Sequence, residues 1–248
     1  MTLKFSITWF SWIFLFILNL IFFDVITHLF SQNKILIHFF QITVEKNLPT
    51  IFATLQLILS GFLLRFVFNR YHSQKKQHAH YFKYLSYIFY FLAFDEWFSV
   101  HDVIGSDISN YLGSFGDVFG WTAFYILLMT LFFIWSIKFL LHLPKQTALY
   151  FIGSGALFLL GAIGFELLNS SGFQEFFNIN LSSSSAYSVG LIEESLEMIG
   201  IFLFNLTLFK FIKTSYSINH IRLNTPLFAS CLIIFILDTI ITYIVKYL

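Results

Sequence analysis

The chain has 248 residues, of which 58% are apolar, 21% aromatic and only 11% charged, with a mean hydropathy of +0.78. Soluble domains carry roughly 25% charged residues, so a water-soluble globule is excluded, and 14 basic against 13 acidic residues leave no cationic excess for nucleic acid. The single cysteine, Cys231, excludes an internal disulfide framework and a cysteine zinc cage.

A helix needs about 20 mostly apolar residues to cross a bilayer. Seven runs qualify, at 7–30, 49–70, 84–104, 119–142, 147–168, 186–210 and 226–247. The first outruns the ~7–15-residue apolar core of a signal peptide and lacks a small-x-small cleavage site, so it reads as a span. Asn47 with Pro49 just inside makes a helix start for the second run, and Pro226 opens the seventh in the same way. Residues 31–48 read as interfacial. The expected fold is an all-α integral membrane bundle of seven transmembrane helices, forming one domain over 1–248 without internal repeats.

Basic residues collect in cytoplasmic loops. If the N-terminus and the loops after spans 2, 4 and 6 share one side, that side holds eleven of the fourteen Lys and Arg, and the other side holds only Lys34, Lys46 and Lys246. The N-terminus is therefore expected in the cytoplasm and the C-terminus outside. The stretch Arg70–Lys83 reads as a topology determinant that meets anionic headgroups, and His72, His78 and His80 as solvated. The expected location is the inner (plasma) membrane, with membrane lipid as the surrounding partner and no nucleic-acid partner.

With that orientation all 13 acids fall in the outer half of the membrane or near its midplane, and none falls in a cytoplasmic loop. At about 1.5 Å per helical residue, Asp95 lies about 17 Å along span 3 and Asp238 about 18 Å along span 7, and Glu197 lies about 17 Å below the outer start of span 6. Asp95, Ser99 and Asp102 would form one helical stripe. Glu193 and Glu197 are i, i+4 neighbours, and so are Asp24 and His28. One ionised carboxylate near the centre of a span costs around 3 kcal/mol even on the lenient insertion scale. The outer half offers no Lys or Arg at that depth, so the acids must carry protons, face water or hold a cation.

A metal centre is the sharper reading, since helical bundles hold paired metals with inward-facing carboxylates and imidazoles. Asp95, His101, Asp102, Glu194 and Glu197 are the expected ligands of a divalent or transition metal ion such as Mn, Fe or Zn. Glu193 or Glu96 would act as general acid/base, with Asp24, His28, Glu166 and Asp238 in support. Glycines 153, 155, 161 and 164 read as sites of close helix packing. No Walker loop, G-x-S-x-G elbow or H-E-x-x-H occurs. A retinal protein would need a lysine midway along span 7, where Thr242 stands, and the seven-helix zinc hydrolases that include alkaline ceramidases close with His-x-x-x-His in a last helix that has no histidine here.

The segments E-K-N-L-P-T (45–50), F-D-E-W-F-S-V-H-D (94–102) and E-E-S-L-E-M-I-G (193–200) resemble a group of uncharacterised bacterial multi-pass membrane proteins. In that group the third helix reads D-E-x-x-x-x-H-E and the sixth E-E-x-L-E-M; here Asp102 stands in the place of the last Glu. The resemblance implies that Asp95, Glu96, His101, Asp102, Glu193, Glu194 and Glu197 belong to one site, and it implies no activity. The functional expectation is a metal-dependent membrane hydrolase or oxidase acting on a lipid or other hydrophobic substrate. The alternatives are a proton or cation transporter or channel using the same carboxylates, and a non-catalytic membrane subunit.

Overall fold

A computed structural model describes residues 2–101, 103–104 and 114–247, leaving aside the side chains at 2–4, 114–125, 171, 222–228 and 246–247. The helices are α1 (Thr8–Phe30), α2 (Lys34–Phe40), α3 (Leu48–Ser73), α4 (Ala79–Phe98), α5 (Ser114–His142), α6 (Lys145–Asn169, with a π-helical turn at Leu160–Phe165), α7 (Ser171–Phe176), α8 (Ser183–Tyr216) and α9 (Thr225–Tyr247). Each apolar run of the sequence carries a helix. Among the described residues four helices, α1, α3, α6 and α8, are long and apolar enough to cross a membrane. The outward faces are apolar: Leu141 and Val245 are 78% and 79% exposed, which only a nonpolar surrounding makes favourable over so many positions.

The helix starts follow their chemistry. Asn47 caps α3 by accepting the Thr50 N–H at 3.2 Å, and Pro49 sits in the first turn where no N–H is needed. Its amide also donates to the carbonyls of His38 and Gln41, so this fully buried residue ties α2 to α3. A helix of seven residues, α2, occupies the segment expected to be interfacial.

Two elements depart from the sequence reading. A two-stranded antiparallel sheet pairs β1 (Thr2–Ser6) with β2 (His220–Asn224), with Phe5 opposite Ile221 and both side chains buried. It joins the N-terminus to the connection that precedes α9, two segments expected on the same side. The third run is not one helix to residue 104. Helix α4 ends at Phe98, Ser99 takes a left-handed φ of 48°, and the backbone is helical again at Val100 and His101. A left-handed residue without the freedom of glycine terminates a helix. Asp95 and Ser99 therefore do not continue one helical stripe, and Asp102, its third member, lies outside the described residues.

The chain groups into two compact units, Met1–Trp97 with Ile201–Leu248, and Phe98–Gly200. In the first, Phe5, Phe10 and Phe209 pack with ring centroids 5.3–5.7 Å apart, and Leu63, Leu64 and Val67 are fully enclosed. In the second, Phe139, Phe151 and Met198 are buried, and α6 meets α8 through glycines.

Candidate functional site: a carboxyl pair beside a π-turn

The geometry starts from the LGAIGF segment of α6. There the helix widens to a π-turn, closed by the N–H of Glu166 donating to the Gly161 carbonyl five residues back. Such a turn inserts one residue into the helix, so everything after it is rotated by about 100° relative to a regular α-helix. Glu166 is the first residue to feel that rotation. Gly161 opens the turn and lies against α8: a Cβ built there would stand 2.7 Å from the Glu193 carbonyl oxygen and 2.9 Å from Glu197 Cγ. Gly200 repeats the device, since a Cβ there would lie 2.7 Å from the Phe158 amide nitrogen. Gly153 and Gly155 meet nothing within 4 Å, so of the glycines expected to pack helices closely, these two do not.

That close approach brings two carboxyl groups together. Glu193 is 7% exposed, its side chain is hydrogen-bonded to that of Glu166, and Glu197 is close enough to act on it electrostatically. Two carboxyl groups can bond to each other only when one of them carries a proton, so an arrangement of this kind can share one. A divalent cation can take the place of that proton, because the same oxygens are hard ligands for it. Glu194 and Glu197 are half-buried on the same helix.

The other expected site residues distribute as follows. In the first unit Asp95 is buried near the end of α4, and Glu96 is half-buried beside it. In the second unit His101 is half-buried, two residues past the left-handed Ser99. Asp238 is half-buried on α9. Asp24 is fully buried and accepts the Ile42 N–H at 3.3 Å, so it anchors the connection between α2 and α3 to α1. His28 is exposed one turn further along α1. Among the described residues no group of three or more His, Cys, Asp or Glu lies close enough together to hold a metal ion.

A second polar cluster was not anticipated. In the first unit Ser60 donates to Asn205 Oδ1 at 2.9 Å, and the Asn205 amide donates to the Gln56 backbone carbonyl at 3.0 Å. All three residues are at least 96% buried in α3 and α8, and the side-chain amide of Gln56 has no partner among the described residues. The available signal was Gln56 and Ser60 at i, i+4 inside an apolar span, a pattern typical of polar contacts between membrane helices. His38 Nδ1 lies 2.8 Å from the Tyr243 hydroxyl, joining α2 to α9.

No curated protein and no solved structure matches the chain. One family does, over residues 12–211, a range that contains α3, α4 and α6 whole together with the acids of α8. The chain thus belongs to the family described as "Domain of unknown function (DUF8692)".

Proposed function

We propose that the chain is a seven-span protein of the inner (plasma) membrane, N-terminus cytoplasmic and C-terminus outside, whose working centre is the Glu166–Glu193 carboxyl pair with Glu194 and Glu197 alongside. The observation that carries this reading is the carboxyl–carboxyl hydrogen bond on Glu193, a buried acid held against the π-turn of α6. π-Turns inside α-helices recur at functional sites. Ionising the buried Glu193 beside a second carboxylate would be costly, because burial and like charge both favour the neutral form, so the pair calls for a proton or a cation.

In the enzyme reading a divalent or transition metal ion, Mn, Fe or Zn, would take the place of a proton shared by the pair, with the Glu194 and Glu197 side chains moving in to complete its oxygen ligands. The ion would supply activation of water or oxygen toward a lipid or other hydrophobic substrate that arrives laterally. His101 and Asp102 are further candidates for ligation or proton transfer, and Asp95 and Glu96 are acids of the first unit to be tested in their own right, each open to substitution. A transport reading is favoured by one feature: two carboxyl groups side by side can share a proton without a third ligand, as a relay member does.

Elemental analysis of detergent-purified protein separates the two. About one or two equivalents of Mn, Fe or Zn, lost in Glu193→Gln and Glu197→Gln, would support the enzyme. Metal-free protein that moves protons or cations down a pH gradient in liposomes would support transport. Metal-free protein without ion flux, unchanged by either substitution, would refute both.

A further inference from the structure

Within the first unit, α2 and α9 enclose a groove of about 400 Å³, within the range of ligand pockets, roughly 300–1,000 Å³. Its walls are hydrocarbon: Ile35, Leu36 and Phe39 on one side, Ile240 and Ile244 on the other. Three polar residues interrupt them. Thr239 is 6% exposed, and its hydroxyl, buried in the groove lining, has no hydrogen-bond partner among the described residues. Asn33 spends its carboxamide oxygen on capping α2, accepting the Ile35 and Leu36 N–H groups at 3.0 and 3.3 Å, which leaves its N–H groups to donate. The Tyr243 hydroxyl is engaged with His38.

The hydrogen-bonding capacity left in the groove is therefore a hydroxyl and an amide N–H, both able to donate, beside a hydrocarbon channel. An occupant must bring a chain for the channel and acceptor oxygens for Thr239 and Asn33. A membrane helix from another protein fits less well, because its carbonyls lie along its own axis behind its side chains and already carry one bond each. A buried hydroxyl left without an acceptor is a standing cost that such a helix would not remove. Charge completes the match: Lys34, exposed between the lining residues Asn33 and Ile35, is one of only three basic residues assigned to the outer side. It sits where an anionic headgroup would be attracted.

We propose that this groove binds one acyl chain of an anionic glycerolipid from the surrounding bilayer, with an ester carbonyl accepting from Thr239 and the headgroup phosphate near Lys34. The site rests on the membrane placement given above and is independent of the carboxyl pair. A bound lipid there would splint α2 onto α9, reinforcing the His38–Tyr243 contact.

The test uses the full chain in phosphatidylcholine vesicles, titrated with phosphatidylglycerol carrying a diazirine in one acyl chain. After illumination the crosslinked residues are mapped by mass spectrometry. The expected result is saturable labelling confined to 35–39 and 239–244. Thr239→Val should require about fivefold more probe for half-saturation, the equivalent of one hydrogen bond. Leu36→Trp, which fills the groove, should abolish labelling there, and Lys34→Gln should remove the preference over a phosphatidylcholine probe. Circular dichroism confirms that each variant folds. Labelling that never saturates and spreads over all apolar helix faces would overturn the proposal, as would crosslinks to a second copy at these residues. Failure of the protein to float with the vesicles would instead refute the membrane placement and the groove with it.

Discussion

Replacing Gly161 by alanine tests whether α6 and α8 approach as closely as the carboxyl pair requires. The new Cβ would lie 2.9 Å from Glu197 Cγ and 2.7 Å from the Glu193 carbonyl oxygen. Carbon atoms prefer about 3.5–4.0 Å, so the first contact is about 0.6–1.1 Å too short. The Glu197 side chain can swing away, but the Glu193 carbonyl belongs to the backbone of α8, so the helices must part. Overpacking of this kind costs about 1–3 kcal/mol. Against that stands a gain of about 1 kcal/mol from replacing glycine by alanine in a helix. Gly155 supplies the control, because its Cβ position is open and Gly155→Ala collects the gain alone. The two variants should thus differ by about 1–3 kcal/mol, and with about 2–4 °C per kcal/mol for a chain of this size, Gly161→Ala should melt roughly 2–12 °C below Gly155→Ala. Thermal unfolding in detergent, followed by circular dichroism, measures this. Equal melting temperatures would refute the close approach, and with it the means by which the π-turn presents Glu166 to Glu193.

Three further outcomes follow from the same contacts. Asn47→Ala removes the cap on Thr50 and two bonds to the carbonyls of His38 and Gln41, and should cost about 2–3 kcal/mol in detergent unfolding; a loss under about 0.5 kcal/mol would mean that the cap is not formed. Asn205→Leu removes the bonds of Asn205 to the Ser60 hydroxyl and to the Gln56 carbonyl, leaving Ser60 its own bond to that carbonyl at 3.1 Å, and should cost about 1–3 kcal/mol, part of it absent when Ser60→Ala is already present; fully additive losses would disprove the shared network. Glu193→Gln keeps a donor for Glu166 while removing one acid, so its stability should stay within about 1 kcal/mol of the parent. Glu193→Leu, which leaves Glu166 without that bond, should fall clearly below it.

The residues that announced themselves were those whose reasons are local. Apolar length alone located a helix at each of the seven runs, and Asn47 with Pro49 marked the start of α3 because capping is decided within four residues. What stayed hidden depends on distant partners or on strain. The strands TLKFS and HIRLN do alternate, but nothing within five residues tells them to pair across more than two hundred. Ser99 carries no glycine signal for its left-handed turn, so the Asp95–Ser99–Asp102 spacing looked continuous. Glu166 was recognised as an outer acid of span 5, yet its meeting with Glu193 depends on one extra residue in the π-turn, which the helical period of 3.6 does not foresee. Gly161 stood among four glycines of equal standing by spacing, and only the neighbouring helix distinguishes it.

The most direct test of the shared site is infrared difference spectroscopy of the purified protein, comparing water with deuterium oxide in the carbonyl-stretch region of protonated carboxyl groups. The expected result is a deuterium-sensitive band that vanishes in both Glu193→Gln and Glu166→Gln but survives in Asp24→Asn. A band unaltered by either glutamine substitution, or abolished by one while indifferent to the other, would contradict a proton held jointly by these two side chains.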